Sequence, residues 1–141
     1  QSVILTEGSK MLLTPTYHVF DLYKGHQDAT LIESYVQQDM IGTEEAQVPA
    51  LHVSASEDAD GNIRITLANL SATESQSIKF LLSGGKYSLA SVRYISGDMN
   101  DFNDFDQPPR VSIKTMPDIP VEDNTFVMDI PACSVNEIVL R

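Results

Sequence analysis

Apolar positions follow a helical spacing up to about Asp28 and a spacing of two from Ala29 onward. In the first part, Thr14-Pro15 reads as an N-cap followed by the first helical residue, where proline's missing N–H costs nothing. Val19, Phe20, Leu22, Tyr23 and His26 then form an apolar stripe broad enough to pack against a neighbour. Gly25 or Gln27-Asp28 ends it. Val3-Ile4-Leu5 and Met11-Leu12-Leu13 flank a break at Glu7-Gly8-Ser9. They are too short for periodicity to separate helix from strand.

Beyond Ala29 the predicted strands are Leu31–Val36, Ala50–Ala55, Asn62–Leu70, Ser77–Leu82, Ser88–Ser96, Val111–Thr115, Thr125–Ile130 and Val135–Leu140. Ile63, Ile65 and Leu67 oppose Arg64 and Thr66 across one strand. In another, Leu89, Val92 and Tyr94 are set against Ser91 and Arg93. Asp58-Ala59-Asp60-Gly61-Asn62 and Gly84-Gly85 supply turns. Gln37–Val48 and Gly97–Pro109 read as loops. No helix separates the strands, so a parallel α/β sheet is excluded. Short strands with a turn every 8–12 residues or so predict a mainly β fold: an antiparallel β-sandwich behind one N-terminal helix.

The length, 141 residues, suits one domain that folds without a metal or disulfide staple. A net charge of −11 disfavours nucleic acid and anionic lipid surfaces as partners. No apolar run approaches the roughly 20 residues of a membrane span. The lone cysteine, Cys133, precludes an internal disulfide and a cysteine-based zinc site. The chain opens Gln1-Ser2-Val3, without Met, as expected for a piece of a longer protein.

Candidate chemistry is sparse. In the acidic loop, Asp98, Asp101 and Asp104 are the residues that would gather a hard cation. The plainer reading is a solvated loop anchored on the sandwich edge by Phe102 or Phe105. Twenty Asp and Glu residues offer many pairs for glycoside hydrolysis, but most lie in turns and read as a solubilising surface. His18 and His26, eight apart, can face one neighbour, which points to helix packing; His52 carries no assignment. Cys133 lacks a base beside it and reads as buried packing. Asn69-Leu70-Ser71 matches a glycosylation sequon, a pattern common by chance. Tyr35, Tyr87, Tyr94, Phe102 and Phe105 are the aromatic candidates for stacking on sugar rings. The residues by themselves yield no catalytic site.

The run Leu13-Thr14-Pro15-Thr16-Tyr17-His18-Val19-Phe20, extended through Tyr23-Lys24 and His26-Gln27, resembles the C-terminal end of bacterial α-L-arabinofuranosidases of glycoside hydrolase family fifty-one. Ile95-Ser96-Gly97-Asp98 with Asn103-Asp104-Phe105-Asp106-Gln107-Pro108, and Ile130-Pro131-Ala132-Cys133-Ser134-Val135, are similar to that family's late loop and closing turn. Gln37–Gln47 and Met116–Asn124 match poorly.

The resemblance implies a jelly-roll type of sandwich over residues 29–141. It also implies that residues 1–28 are the last strand and helix of a (β/α)₈ barrel that carries catalysis. Its two catalytic glutamates lie upstream of this chain, so no residue here takes a catalytic role, and the chain alone is expected to be inactive. The whole enzyme would release terminal α-L-arabinofuranosyl groups from arabinan or arabinoxylan, without metal or organic cofactor. The implied partners are the missing barrel, arabinose-containing polysaccharide through the parent enzyme, and a second copy of the chain through the exposed helix. The compartment stays open, exported or cytoplasmic. A carbohydrate-binding module for hemicellulose is the alternative. A third reading makes the chain a hydrolase using carboxylates of the Asp98–Asp106 loop.

Overall fold

The change of period near Asp28 marks a seam in the computed structural model, which describes residues 2–141. On its N-terminal side, Ile4–Glu7 (β1) and Lys10–Leu13 (β2) pair as an antiparallel hairpin. Gly8 makes that turn with φ 59°, a conformation a side chain disfavours. The two apolar runs that periodicity left open are therefore strands. Thr14 caps the helix Pro15–Tyr23 (α1): its Oγ1 accepts the Tyr17 N–H at 3.4 Å and donates to the Val3 carbonyl at 2.8 Å. Lys24–His26 tighten into a 3₁₀ turn. There Gly25 lies against the Arg64 guanidinium, where any Cβ would overlap it.

Beyond the seam the strands are Thr30–Ile32 (β3), Met40–Gly42 (β4), Gln47–Pro49 (β5), Leu51–Glu57 (β6), Ile63–Asn69 (β7) and Gln76–Leu81 (β8). They continue with Leu89–Ser96 (β9), Lys114–Thr115 (β10), Ile119–Pro120 (β11), Thr125–Ile130 (β12) and Ser134–Leu140 (β13). One sheet runs β10-β9-β13-β7-β6-β3, with β11 also on β9; β8 and β12 form the opposing layer. Every pairing is antiparallel, as expected. Asp58 closes the β6–β7 hairpin by accepting the N–H groups of Asp60 and Asn62 at 3.0 and 2.9 Å.

Side-chain parity then sorts the sheet. Leu51, Ala55, Ile65, Leu67, Val92, Ile138 and Leu140 point inward and are buried against Phe80, Phe126, Met128 and Ile130. Phe80 and Phe126 sit opposite each other in register and stack at 4.4 Å with rings 2° from parallel. Burying each such side chain is worth about 1.5–3 kcal/mol. β13, hydrogen-bonded on both sides, is the centre of the sheet.

Four expectations need correction. The strand expected over Leu31–Val36 is only Thr30–Ile32, because residues 33–39 leave the sheet. The loop expected over Gln37–Val48 holds the β4–β5 hairpin, turned by Gly42 at φ 128°. The strand expected over Val111–Thr115 shrinks to Lys114–Thr115, with Val111 buried in a separate apolar cluster. In β9, Leu89 shares parity with Ser91 and Arg93 rather than with Val92, and is exposed.

The sandwich is open along one side. Among the described residues β8 pairs with β12 alone, and between β8 and β6 runs a groove of about 910 Å³. Ile32, Val36, Val53, Ile63, Ile78 and Tyr87 are among its lining residues.

Candidate functional site: the junction of helix and sheet

The outward parity of β7, β9 and β13 places Arg64, Thr66, Arg93 and Glu137 on the face that α1 covers. Glu137 is 2% exposed yet ionic, so it needs partners. Arg93 supplies two contacts to its Oε2, Nη2 at 2.5 Å and Nε at 2.7 Å, and Arg64 pairs with its Oε1. Arg93 also reaches Asp21 of α1 at 3.3 Å, and Lys24 closes the chain on Asp21 at 2.5 Å. The Lys24 hydrogen bond, helped by Arg93, holds the Asp21 carboxyl below the usual range.

His26 extends the network across two strands. One ring nitrogen lies 2.7 Å from Ser56 Oγ on β6 and the other 2.8 Å from Thr66 Oγ1 on β7. Desolvation and the nearby Arg64 lower its pKa, and Glu137 offsets part of the shift. His18 is buried on α1, and its Nδ1 has no hydrogen-bond partner among the described residues; desolvation lowers its pKa against a smaller opposing pull from Asp21. Leu22, fully buried, packs with Ile95 and Val111, so an apolar plug sits beside the ionic one. The arrangement can fasten a helix to a sheet in one orientation. Its carboxylates are ion-paired and its imidazole at His26 is engaged by two hydroxyls.

The other candidates are dispersed. Asp98, Asp101 and Asp104 do not converge: Asp101 Oδ2 accepts the Asp98 N–H at 3.0 Å, and Asp104 Oδ1 accepts the Phe105 N–H at 2.8 Å. Among the described residues no group of three or more His, Cys, Asp and Glu is placed to hold a metal ion. Of the two expected anchors Phe105 is half-buried, but the loop's hydrogen-bonded anchor is Asn103. Its amide donates to the carbonyls of Leu13 and Val111 at 2.9 and 2.7 Å and accepts the Val111 N–H at 2.9 Å. Phe102 is exposed beneath Arg110. A polar residue within an acidic loop gave no signal that it turns inward.

The five aromatics form no common platform. Tyr35 and Tyr87 line the groove, while Tyr94 lies on β9 under Lys114 and Phe102 and Phe105 on the acidic loop. Asn69 is buried, its amide donating to the carbonyls of Glu74 and Pro131, so its sequon is inaccessible to a glycosyltransferase in the folded chain. Cys133 is half-buried at φ 45° in the turn before β13, not packed in the core as expected. Among the described residues no helix is long and apolar enough to cross a membrane.

Residues 1–134 match the family model described as the α-L-arabinofuranosidase C-terminal domain. The chain belongs to that family. It is 34% identical over 143 residues to an intracellular exo-α-L-arabinofuranosidase of Bacteroides ovatus, all of this chain aligning with 28% of that protein. It also superimposes, with a TM-score of 0.91 and 34% identity, on the family fifty-one arabinofuranosidase of Xanthomonas axonopodis pv. citri, covering 99% of this chain and 28% of that one. A thermostable Thermotoga petrophila enzyme shares the fold, with a TM-score of 0.84 at 23% identity over 99% of this chain and 31% of its own. The arabinofuranosidase C-terminal domain thus spans under a third of these relatives. The network around Glu137 escaped prediction, although a glutamate inside the apolar run Val135–Leu140 was its visible trace.

Proposed function

We propose that this chain is the non-catalytic C-terminal sandwich of an α-L-arabinofuranosidase, which braces a catalytic barrel contributed by the rest of the enzyme. The observation that carries the reading is the match to the C-terminal family model by a chain only 28% as long as its Bacteroides ovatus relative. Residues 1–28 are assigned to the barrel and residues 29–141 to the sandwich. The parent reaction is hydrolysis of terminal α-L-arabinofuranosyl groups on arabinan or arabinoxylan.

Two surfaces support a missing partner. Ile4, Leu5 and Met11 of the hairpin and Phe20 of α1 are exposed apolar side chains on the segment assigned to the barrel. The open groove beside β8 leaves core-facing residues without a covering layer. In the isolated chain the exposed face of α1 brings two copies together, a pairing that sedimentation over a wide concentration range reads directly.

The test is an activity and complementation assay. The isolated chain is expected to release no product from a chromogenic α-L-arabinofuranoside. Mixed with a separately produced barrel portion of the enzyme, it should form a complex that Phe20→Asp weakens. Turnover by the isolated chain, abolished by Asp→Asn changes at Asp98, Asp101 and Asp104, would overturn the reading.

A further inference from the structure

We propose that the junction between α1 and the sheet is an acid-released latch: protonation of His18 and His26 undocks the helical segment while the sandwich stays folded. The inference stands apart from the enzyme assignment, since it concerns only contacts inside this chain.

The geometry places the two rings at the ends of one docked segment. His26 joins the 3₁₀ turn to both β6 and β7 through Ser56 and the fully buried Thr66. The charged groups around it are Arg64 from β7, which opposes a second positive charge, and Glu137 from β13, which both arginines already engage. From β6 the same face presents Ser54 and His52 besides Ser56. His18 lies on the buried side of α1, its Nδ1 without a partner among the described residues. Its own helix supplies Asp21 and Tyr17 beside it. The strands packed on α1 carry Arg93 of β9, Glu137 of β13 and Lys10 of β2, each with an ion-pair partner.

A proton on His18 Nδ1 would create a buried donor and charge with no acceptor. In the docked state both rings are harder to protonate than an ordinary imidazole, through desolvation first and, at His26, through Arg64 as well, whereas an undocked ring takes its proton near pH 6.5. Their contribution to docking is therefore complete above that pH and is lost as pH falls below it. The inward core has no ionisable member among its buried residues, so the same acidification leaves it intact.

Hydrogen exchange on the 141-residue chain at pH 7.5 and pH 5.0, corrected for intrinsic rates, is the test. Protection of residues 15–26 should fall severalfold, with a ceiling of about 30-fold per ring set by the distance from pH 5.0 to an ordinary imidazole's pKa of about 6.5. Protection of β7 and β13 should stay constant. Loss of equal size in helix and sheet, or no loss in the helix, would overturn the latch. The variant His18→Leu/His26→Gln should hold its helix protection constant between the two pH values. Direct titration of the wild-type rings by NMR keeps the test independent of that variant's folding: midpoints at or above about 6.5 refute the proposal and lower ones support it.

Discussion

The two faces of the central sheet come from the same strands, one residue apart, and are held by different physics. On the inward face, Ile65, Leu67, Val92, Ile138 and Leu140 meet Phe80 and Phe126, and stability follows from apolar area removed from water. On the outward face, Arg64, Arg93, Glu137 and Thr66 meet Asp21 and His26, and the contacts are directional. An apolar face tolerates a shifted partner of similar volume. The charged face fixes where the helix lies, because a displaced helix would strip Asp21 from Arg93 and His26 from its two hydroxyls. One face holds the domain together, and the other specifies how the segment proposed to belong to the barrel is seated on it.

The largest expected loss lies on the inward face. Phe126→Ala removes the ring stacked on Phe80 and should lower unfolding stability by about 4 kcal/mol. Glu137→Ala comes next, at about 3 kcal/mol, the low end for removing one partner of a buried ion pair, since Arg93 is partly reached by water. Urea unfolding at constant m separates the two. If Glu137→Ala proved the costlier, the outward face would be the energetic core. The triple change Arg64→Met/Arg93→Met/Glu137→Leu sharpens the division. It should recover most of the loss while blurring the seating of α1, read as broadened NMR signals for residues 15–26. A triple variant as unstable as Glu137→Ala would mean that the ionic network stabilises outright.

Alternation made the β layers legible. Ile63, Ile65 and Leu67 against Arg64 and Thr66 is a two-residue period that reads as a strand, and the structure puts the two sets on opposite faces. The outer face is covered too, and Thr66 is fully buried. The cap at Thr14 and the turn at Asp58–Asn62 were equally readable, because their chemistry is local. What stayed hidden is long-range. The Val111–Thr115 run looked like a strand by composition, yet Val111 is taken by a side chain eight residues upstream. Glu137 carried no assignment in the sequence, and only sheet pairing sets it opposite Arg93 and beneath a helix more than a hundred residues earlier. Pattern reports which face a residue takes. It does not report what is folded over that face.

Asn103 gives the comparison its finest test, because it serves the outward face without belonging to the ionic network. One amide satisfies the Leu13 and Val111 carbonyls and the Val111 N–H, joining β2 to the acidic loop and seating Val111 against Leu22. Asn103→Ala leaves these buried backbone groups unpaired and should cost about 2 kcal/mol. Asn103→Asp keeps the acceptor for the Val111 N–H but turns a carboxylate toward two carbonyl oxygens, so it should be at least as damaging at neutral pH. Acidification to about pH 3 should ease the aspartate variant relative to the alanine one, because the protonated carboxyl regains one donor. Equal stability of both variants at both pH values would mean that the loop is held by the buried Val111 side chain alone. The directional logic of the outward face would then end at the ionic network.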